Sequence, residues 1–281
     1  MKIDKVIFSC SEEYSDFWSI NSKIFSEQLN IEPVCLLFSE NDNFKICEKY
    51  GQVKRMKFVP NLPKIIQITW AKFYHTKIEP ATTWIIGDID QIPLQRDYFV
   101  NTIGKISDCD YVHLNYDGCG QTLGMDPSLW LVKDGERGGG FDLPAHYHVA
   151  KGKTFHNVLG LDQPFEQQIQ LLTSGKYGLG AIYNNIERNS ERYYWIAEEQ
   201  FSSHCIREQF LNEKINFHGF SYENRNNTQR INRSAWTGKY HYDKEKLVSK
   251  KFVDIHCHRP FSEQENFLYQ ILERAFQDEG S

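Results

Sequence analysis

The chain has 281 residues, enough for one large α/β domain or two small ones with a substantial core. Hydrophobic residues make up 40% and charged residues 25%, the proportions of a globular protein, and a net charge of −5 excludes a uniformly basic nucleic-acid sleeve. No stretch approaches the ~18 apolar residues of a membrane span, and MKIDKVIFSC lacks the apolar region of a secretory signal, so a cytoplasmic protein is expected.

In chain order, KVIFSC (5–10) reads as a short buried strand. DFWSINSKIFSEQL (16–29) spaces its apolar residues as a broad helical face. PVCLLF (33–38) is a second buried strand, and the alternation in VKRMKF (53–58) suits a strand nearer a sheet edge. LPKIIQITWAKFYHT (62–76) reads as a helix with Pro63 tolerated in its first turn. TTWIIGD (82–88) and DYVHLNY (110–116) are further strands. This alternation predicts an α/β fold: a mostly parallel sheet with helices on both faces. Beyond it the pattern is less regular. GERGGGF (135–141) is a loop and HYHVAKG (146–152) a strand. Helices are expected over 163–175 and 197–211, and FVDIHCH (252–258) is a last strand. A capping-box pair, Ser262 and Glu265, opens a final helix ending near Gln277.

Seven scattered cysteines, odd in number and without CxxC, indicate neither a disulfide frame nor a zinc knuckle, and point to a reducing compartment. Charge is uneven. Residues 225–251 carry +6, which leaves −11 for the remainder, so an anionic ligand at one place competes with a solvated basic loop as the explanation.

Ligands gather at the carboxyl ends of parallel strands, where TTWIIGDID places two aspartates. If the chain stays extended there, Asp88 and Asp90 share one face, with Ile92 and Pro93 closing the turn behind them. Two hard oxygen donors suit Mg²⁺ or Mn²⁺, although an acidic loop tip that caps backbone amides would look the same. The same alternation puts Asp254, His256 and His258 on one face, with Val253, Ile255 and Cys257 toward the core. Imidazole favours Mn²⁺ over Mg²⁺, and Arg259 follows directly, with a guanidinium that matches a phosphate bidentately.

KVIFSC, the lysine-bearing helix QITWAKFYHT, WIIGDIDQIPL as a DxD segment and DIHCHRPF as a C-terminal His-x-x-Arg-Pro segment together resemble the GT-A class of nucleotide-sugar glycosyltransferases. The resemblance covers about residues 4–261. It implies a single domain over 1–281, with a nucleotide-sugar half (1–117) and an acceptor half (118–281). It implies that Asp88 contacts the donor ribose or the metal, that Asp90 ligates the metal, and that His256 is a further ligand, with His258 as second choice. RINRSAW (230–236) is similar to a stretch in bacterial and viral members, which would bring Arg230 and Arg233 to the donor. Lys72 is another donor contact, and Ser9, Cys10 and Ser11 lie where such folds place the nucleoside. The implied donor is a nucleoside-diphosphate sugar with UDP as its nucleotide, and the acceptor is a hydroxyl of a glycan or small molecule.

Inverting transfer requires a base for the acceptor hydroxyl. Glu199, with Glu198 as fallback, is the candidate, read as a pair at a helix start whose dipole keeps the base ionised. His146 and His148 would lie beside the acceptor. Three alternatives remain on sequence. One is a phage-type enzyme acting on hydroxymethylated DNA through the basic stretch with Trp236, Tyr240 and Tyr242. The others are a non-enzymatic sugar-nucleotide or nucleic-acid binding module, and a metallohydrolase built on the two His-x-His segments.

Overall fold

The computed structural model describes residues 1–106, 109–114, 143–174, 190–219, 229–232, 244–248 and 250–276. Strand β1 (Lys5–Ser11) is interior, because Val6, Ile7 and Phe8 are all completely buried. It pairs in parallel with β2 (Glu32–Phe38) on one side and β4 (Thr83–Ile86) on the other. β3 (Gln52–Met56) adds to β2 in parallel and forms the edge, as its alternation predicts. Beyond β4 lie β7 (His148–Lys151), β6 (Tyr111–His113) and β8 (Phe217–Gly219), giving the order β3-β2-β1-β4-β7-β6-β8. Only β7 runs antiparallel to its neighbours in this seven-stranded sheet.

The period of two sorts the strand residues into two cores. Val6, Phe8, Cys35 and Leu37 pack with Trp18 and Phe25 from the first helical segment, α1 (Asp16–Lys23) and the π turn that continues it through Gln28. Ile7, Val34, Leu36 and Ile86 pack on the opposite side with Trp70 and Phe73 of α2 (Lys64–His75). The predicted α/β sheet with helices on both faces is therefore the observed one. Pro63 stands just before α2, as its N-cap, rather than inside the first turn. Helices α3 (Gly152–Leu159), α4 (Phe165–Thr173) and α5 (Glu191–Leu211) follow.

Two departures shape the functional end. The chain does not stay extended through the aspartates: β4 stops at Ile86, and the Gln91 amide donates to the Asp88 carbonyl at 3.0 Å, closing a turn. Gln91–Pro93 then forms a short strand, β5, instead of ending the turn. β5 pairs antiparallel with β10 (Phe252–His256), in the register Gln91–His256, Ile92–Ile255 and Pro93–Asp254. β9 (Gln229–Asn232) pairs in parallel on the other side of β10 and completes a small second sheet. The last helix, α6, spans Glu265–Phe276, and a 3₁₀ turn at Phe261–Glu263 holds Ser262, so the predicted capping box does not open it.

Candidate active site

The carboxyl ends of β1 and β4, the β4–β5 turn, α2, α5 and the end of β10 enclose a cleft of about 580 Å³. Gly87 makes the approach to it possible. A Cβ there would lie 2.3 Å from Cε1 of Phe8, so only glycine lets the chain pass the buried ring and deliver Asp88. Asn21, fully buried, donates through Nδ2 to the Ile89 carbonyl at 2.7 Å and fixes the turn from α1.

The two aspartates meet different cations. Asp88 is paired with Lys72, whose ammonium is almost completely buried on α2. Burial opposes the charge on Lys72, but Asp88, Glu198 and Glu199 outweigh it and raise its pKa above the ordinary lysine value. Burial likewise works against the Asp88 carboxylate, and Lys72 and His146 overcome it to hold that pKa well below the usual range. Asp90 accepts from Arg259 through a single oxygen, Oδ2, at 3.0 Å from Nε and 2.7 Å from Nη2. The same oxygen lies 3.7 Å from Nε2 of His256. Burial is again offset, by His256 and Arg259, and the Asp90 pKa falls below the usual carboxylate range.

The β5–β10 ladder creates this convergence. His256 stands opposite Gln91, and the Cys257 amide extends the ladder by donating to the Asp90 carbonyl at 2.8 Å. His258 lies past the strand end, where its amide donates to Gln264, and it does not line the cleft. Asp254 shares the strand with His256 but not its role. It is completely buried and takes a bidentate contact from Arg230, directly across the β9–β10 pair, at 2.8 Å and 2.5 Å. Arg230 lines the cleft, yet its guanidinium is also engaged with Gln91 and His146, so it is a strut between sheets before it is a donor contact. Arg233, with Trp236, Tyr240 and Tyr242, lies outside the described residues, as does the GERGGGF loop.

The His-x-His reading of HYHVAKG is corrected by Tyr147. Its φ of +62° is left-handed, a conformation that costs a non-glycine residue about 1–2 kcal/mol. The amide donating to Ile86 and the hydroxyl donating to Asp254 at 2.7 Å hold it there. The kink separates the two imidazoles. His146 enters the cleft, 3.0 Å from Gln91 Nε2 and 3.5 Å from Asp88. His148 is buried in the core against Tyr111 and His113. Burial first, and Arg230 second, lower the His146 pKa to about 4, so it is neutral at pH 7.

Glu198 and Glu199 both line the cleft, but not from a helix start. α5 begins at Glu191, with Ser190 as the N-cap accepting from the Tyr193 amide, so the pair lies two turns inside and the dipole argument fails. Glu198 is 3% exposed, and among the described residues its Oε2 has no hydrogen-bond partner. Burial, followed by repulsion from Glu199, raises its pKa well above the ordinary value. Glu199 accepts from the Ala145 amide at 3.1 Å. Ser9 and Ser11 are partly exposed at the cleft, whereas the Cys10 thiol turns into the core, 3.7 Å from Cys35 Sγ.

Among the lining residues not singled out from sequence, three contact the charged groups of the site. Gln91 bridges Asp88, His146 and Arg230. Tyr14 and Trp195 flank the Arg259 guanidinium, with ring centres 4.4 Å and 5.6 Å away, and Tyr14 also accepts from Nη1. Among the described residues, no three His, Cys, Asp or Glu side chains are already assembled around a metal position.

No family model and no curated protein matches the chain. Solved structures do. The galactosyltransferase LgtC, in complex with donor and acceptor sugar analogues, superposes over 97% of this chain and 95% of its own, with a TM-score of 0.50 and 12% identity. The fold is that of the GT-A glycosyltransferases. Glucosyl-3-phosphoglycerate synthase from Mycobacterium tuberculosis, solved with Mn²⁺, UDP and phosphoglyceric acid, matches 98% of this chain and 78% of its own at 12% identity and a TM-score of 0.41. The bifunctional glycosyltransferase WbbM matches with a TM-score of 0.46 at 12% identity, and this chain spans 52% of its length. No helix among the described residues is long and apolar enough to cross a membrane.

Proposed function

We propose that the chain is a metal-dependent glycosyltransferase that moves a sugar from a nucleoside-diphosphate sugar, with UDP as the nucleotide, to a hydroxyl acceptor. The observation that carries this reading is the meeting of Asp90 and His256 in one cleft through the β5–β10 pair. The cleft volume falls in the range of small-molecule sites, about 300–1,000 Å³.

The donor set suits a divalent ion in kind, a carboxylate oxygen with an imidazole nitrogen, and Asp90 Oδ2 and His256 Nε2, 3.7 Å apart, are near enough for small side-chain shifts to bring both to one ion. Asp90 and His256 would hold the ion, with Asp88 as the further oxygen donor. Arg259 would then leave Asp90 Oδ2 and turn its fork to the donor phosphates. Bound there, Mn²⁺ or Mg²⁺ would act as a Lewis acid toward the diphosphate leaving group.

The chain's own residues supply the rest. Ser9 and Ser11 border the nucleoside position, and Lys72 supplies a buried positive charge beside the donor. Glu198, whose pKa is raised by burial and by the neighbouring Glu199, suits a hydrogen-bond donor to a sugar hydroxyl better than a base. Glu199 is the base in an inverting transfer. Trp195, half exposed at the cleft rim, offers an aromatic face to the acceptor.

Hydrolysis of a UDP-sugar without acceptor tests this directly. Turnover that requires Mn²⁺ and stops with a chelator supports the reading. A folded protein that turns over no nucleotide sugar under any metal would overturn it in favour of a binding module.

A further inference from the structure

A second cavity, of about 460 Å³, lies at the opposite end of the sheet, where Met1–Ile3 leads into β1 and Asn30–Ile31 into β2. Its floor is apolar, formed by buried Ile3, Leu29 and Ile31. Its polar wall carries three cationic side chains, Lys2, Arg96 and Lys105, beside Asn30 and Asn101, and among the described residues no acidic residue lines it. None of the three makes an ion pair among the described residues, in a protein whose net charge is −5. Lys5, Lys72 and Arg259, by contrast, each face a carboxylate.

Arg96 is held in a particular way. Nη1 donates to the Gln28 carbonyl at 2.7 Å, which anchors one side of the guanidinium to the end of the first helical segment. Nε and Nη2 make no hydrogen bond among the described residues. That pair is an edge able to bind a phosphate or carboxylate with two parallel N–H donors. A bare triad of like charges is unfavourable and is relieved by a multiply charged anion, which favours phosphate over a single carboxylate.

We infer that this cavity is a binding site for a phosphate group carrying an apolar portion, with Arg96 as the fork, Lys2 and Lys105 as flanking charges, and Ile3, Leu29 and Ile31 as the apolar floor. The site is separate from the cleft. A seven-residue parallel strand at about 3.3 Å per residue puts the two roughly 20 Å apart along β1. The inference does not depend on the transferase reading. The phosphate could belong to a soluble phosphate ester or to an anionic lipid headgroup, and the test has an arm for each.

In the first arm, the melting temperature of the full chain is followed against inorganic phosphate at constant ionic strength, for the wild type, for Lys2→Glu/Lys105→Glu, and for the charge-matched control Lys23→Glu/Lys45→Glu. In the second arm, the same three proteins are floated with phosphatidylglycerol/phosphatidylcholine vesicles and with phosphatidylcholine vesicles alone. A soluble ligand predicts a saturable phosphate shift whose midpoint rises at least tenfold in the pocket variant and is unchanged in the control. A headgroup predicts flotation with the anionic vesicles only, lost in the pocket variant and kept in the control. Arg96→Lys, which keeps the charge and removes the fork, should weaken whichever binding is seen. Binding in neither arm, or binding equal in the pocket variant and the wild type, overturns the site.

Discussion

The two ends of the main sheet treat charge in opposite ways. At the carboxyl end, three aspartates are each answered by a cation from another element: Asp88 by Lys72, Asp90 by Arg259, Asp254 by Arg230. At the amino end, Lys2, Arg96 and Lys105 line a cavity with no acid facing them among the described residues. Carboxylates taken out of water must be paired or they raise their pKa and neutralise. Lys2 and Lys105, exposed at the rim, keep their water, so the fold tolerates their repulsion until an anion relieves it. Substitutions at the first end should therefore cost chemistry or stability, while those at the second should alter ligand binding and leave the fold alone.

The largest expected break in that contrast is Asp90→Ala. Lewis-acid stabilisation is worth several kcal/mol, so sugar transfer should fall at least about 100-fold, measured as initial rate with Mn²⁺, with circular dichroism unchanged. Asp254→Ala comes next. It strands Arg230 in a mostly buried position, and chemical denaturation should show a loss of about 3–5 kcal/mol. Replacing both partners, as Arg230→Met/Asp254→Leu, should recover part of that loss, because no charge is then left unpaired. Gly87→Ala should cost roughly 1–3 kcal/mol by the same measurement, since the new methyl must displace the Phe8 ring from a filled core.

Stability should also fall with acid, and the sign follows from the buried histidines. Burial, with Lys54 beside it, lowers His75 to about 4, and burial lowers His113 to about 3. Burial also places His148 well below its ordinary value. In the unfolded chain these groups titrate near 6.5. The unfolded state thus binds more protons as pH drops below about 6.5, and native stability is lost progressively down to about pH 4 for His75 and about pH 3 for His113. His113→Gln should flatten the dependence of melting temperature on pH over that window. An unchanged slope would show that His113 does not contribute. The smallest effect is expected at the other end of the sheet, where Lys105→Glu should change unfolding free energy by no more than about 0.5 kcal/mol.

The parts of the fold legible in the sequence are those whose cause is local. β1, β2 and β4 declare themselves because both faces are buried and the apolar runs are short and bounded. α2 declares itself through helical spacing. β5 does not, because three residues ending in a proline become a strand only through β10, near the other end of the chain. Asp90 and His256 are named as companions by the family resemblance alone, and neither the pairing that joins them nor the turn between Asp88 and Asp90 is visible in the local sequence. The early start of α5 was hidden by RYYWIA, whose aromatic residues give no clear apolar stripe, although Ser190 is an N-cap signal in plain view. Arg230 illustrates a different limit. Charge counting finds the basic stretch but not its buried partner, because Asp254 belongs to another strand.

The most direct test of the transferase reading is UDP binding, followed as a thermal shift with and without Mn²⁺, in the wild type and in His256→Ala. A ligand bound only by the native state raises the melting temperature. The account predicts a UDP shift that appears only with Mn²⁺ and disappears in the folded variant. An equal shift in the two proteins, or one indifferent to the metal, would contradict it.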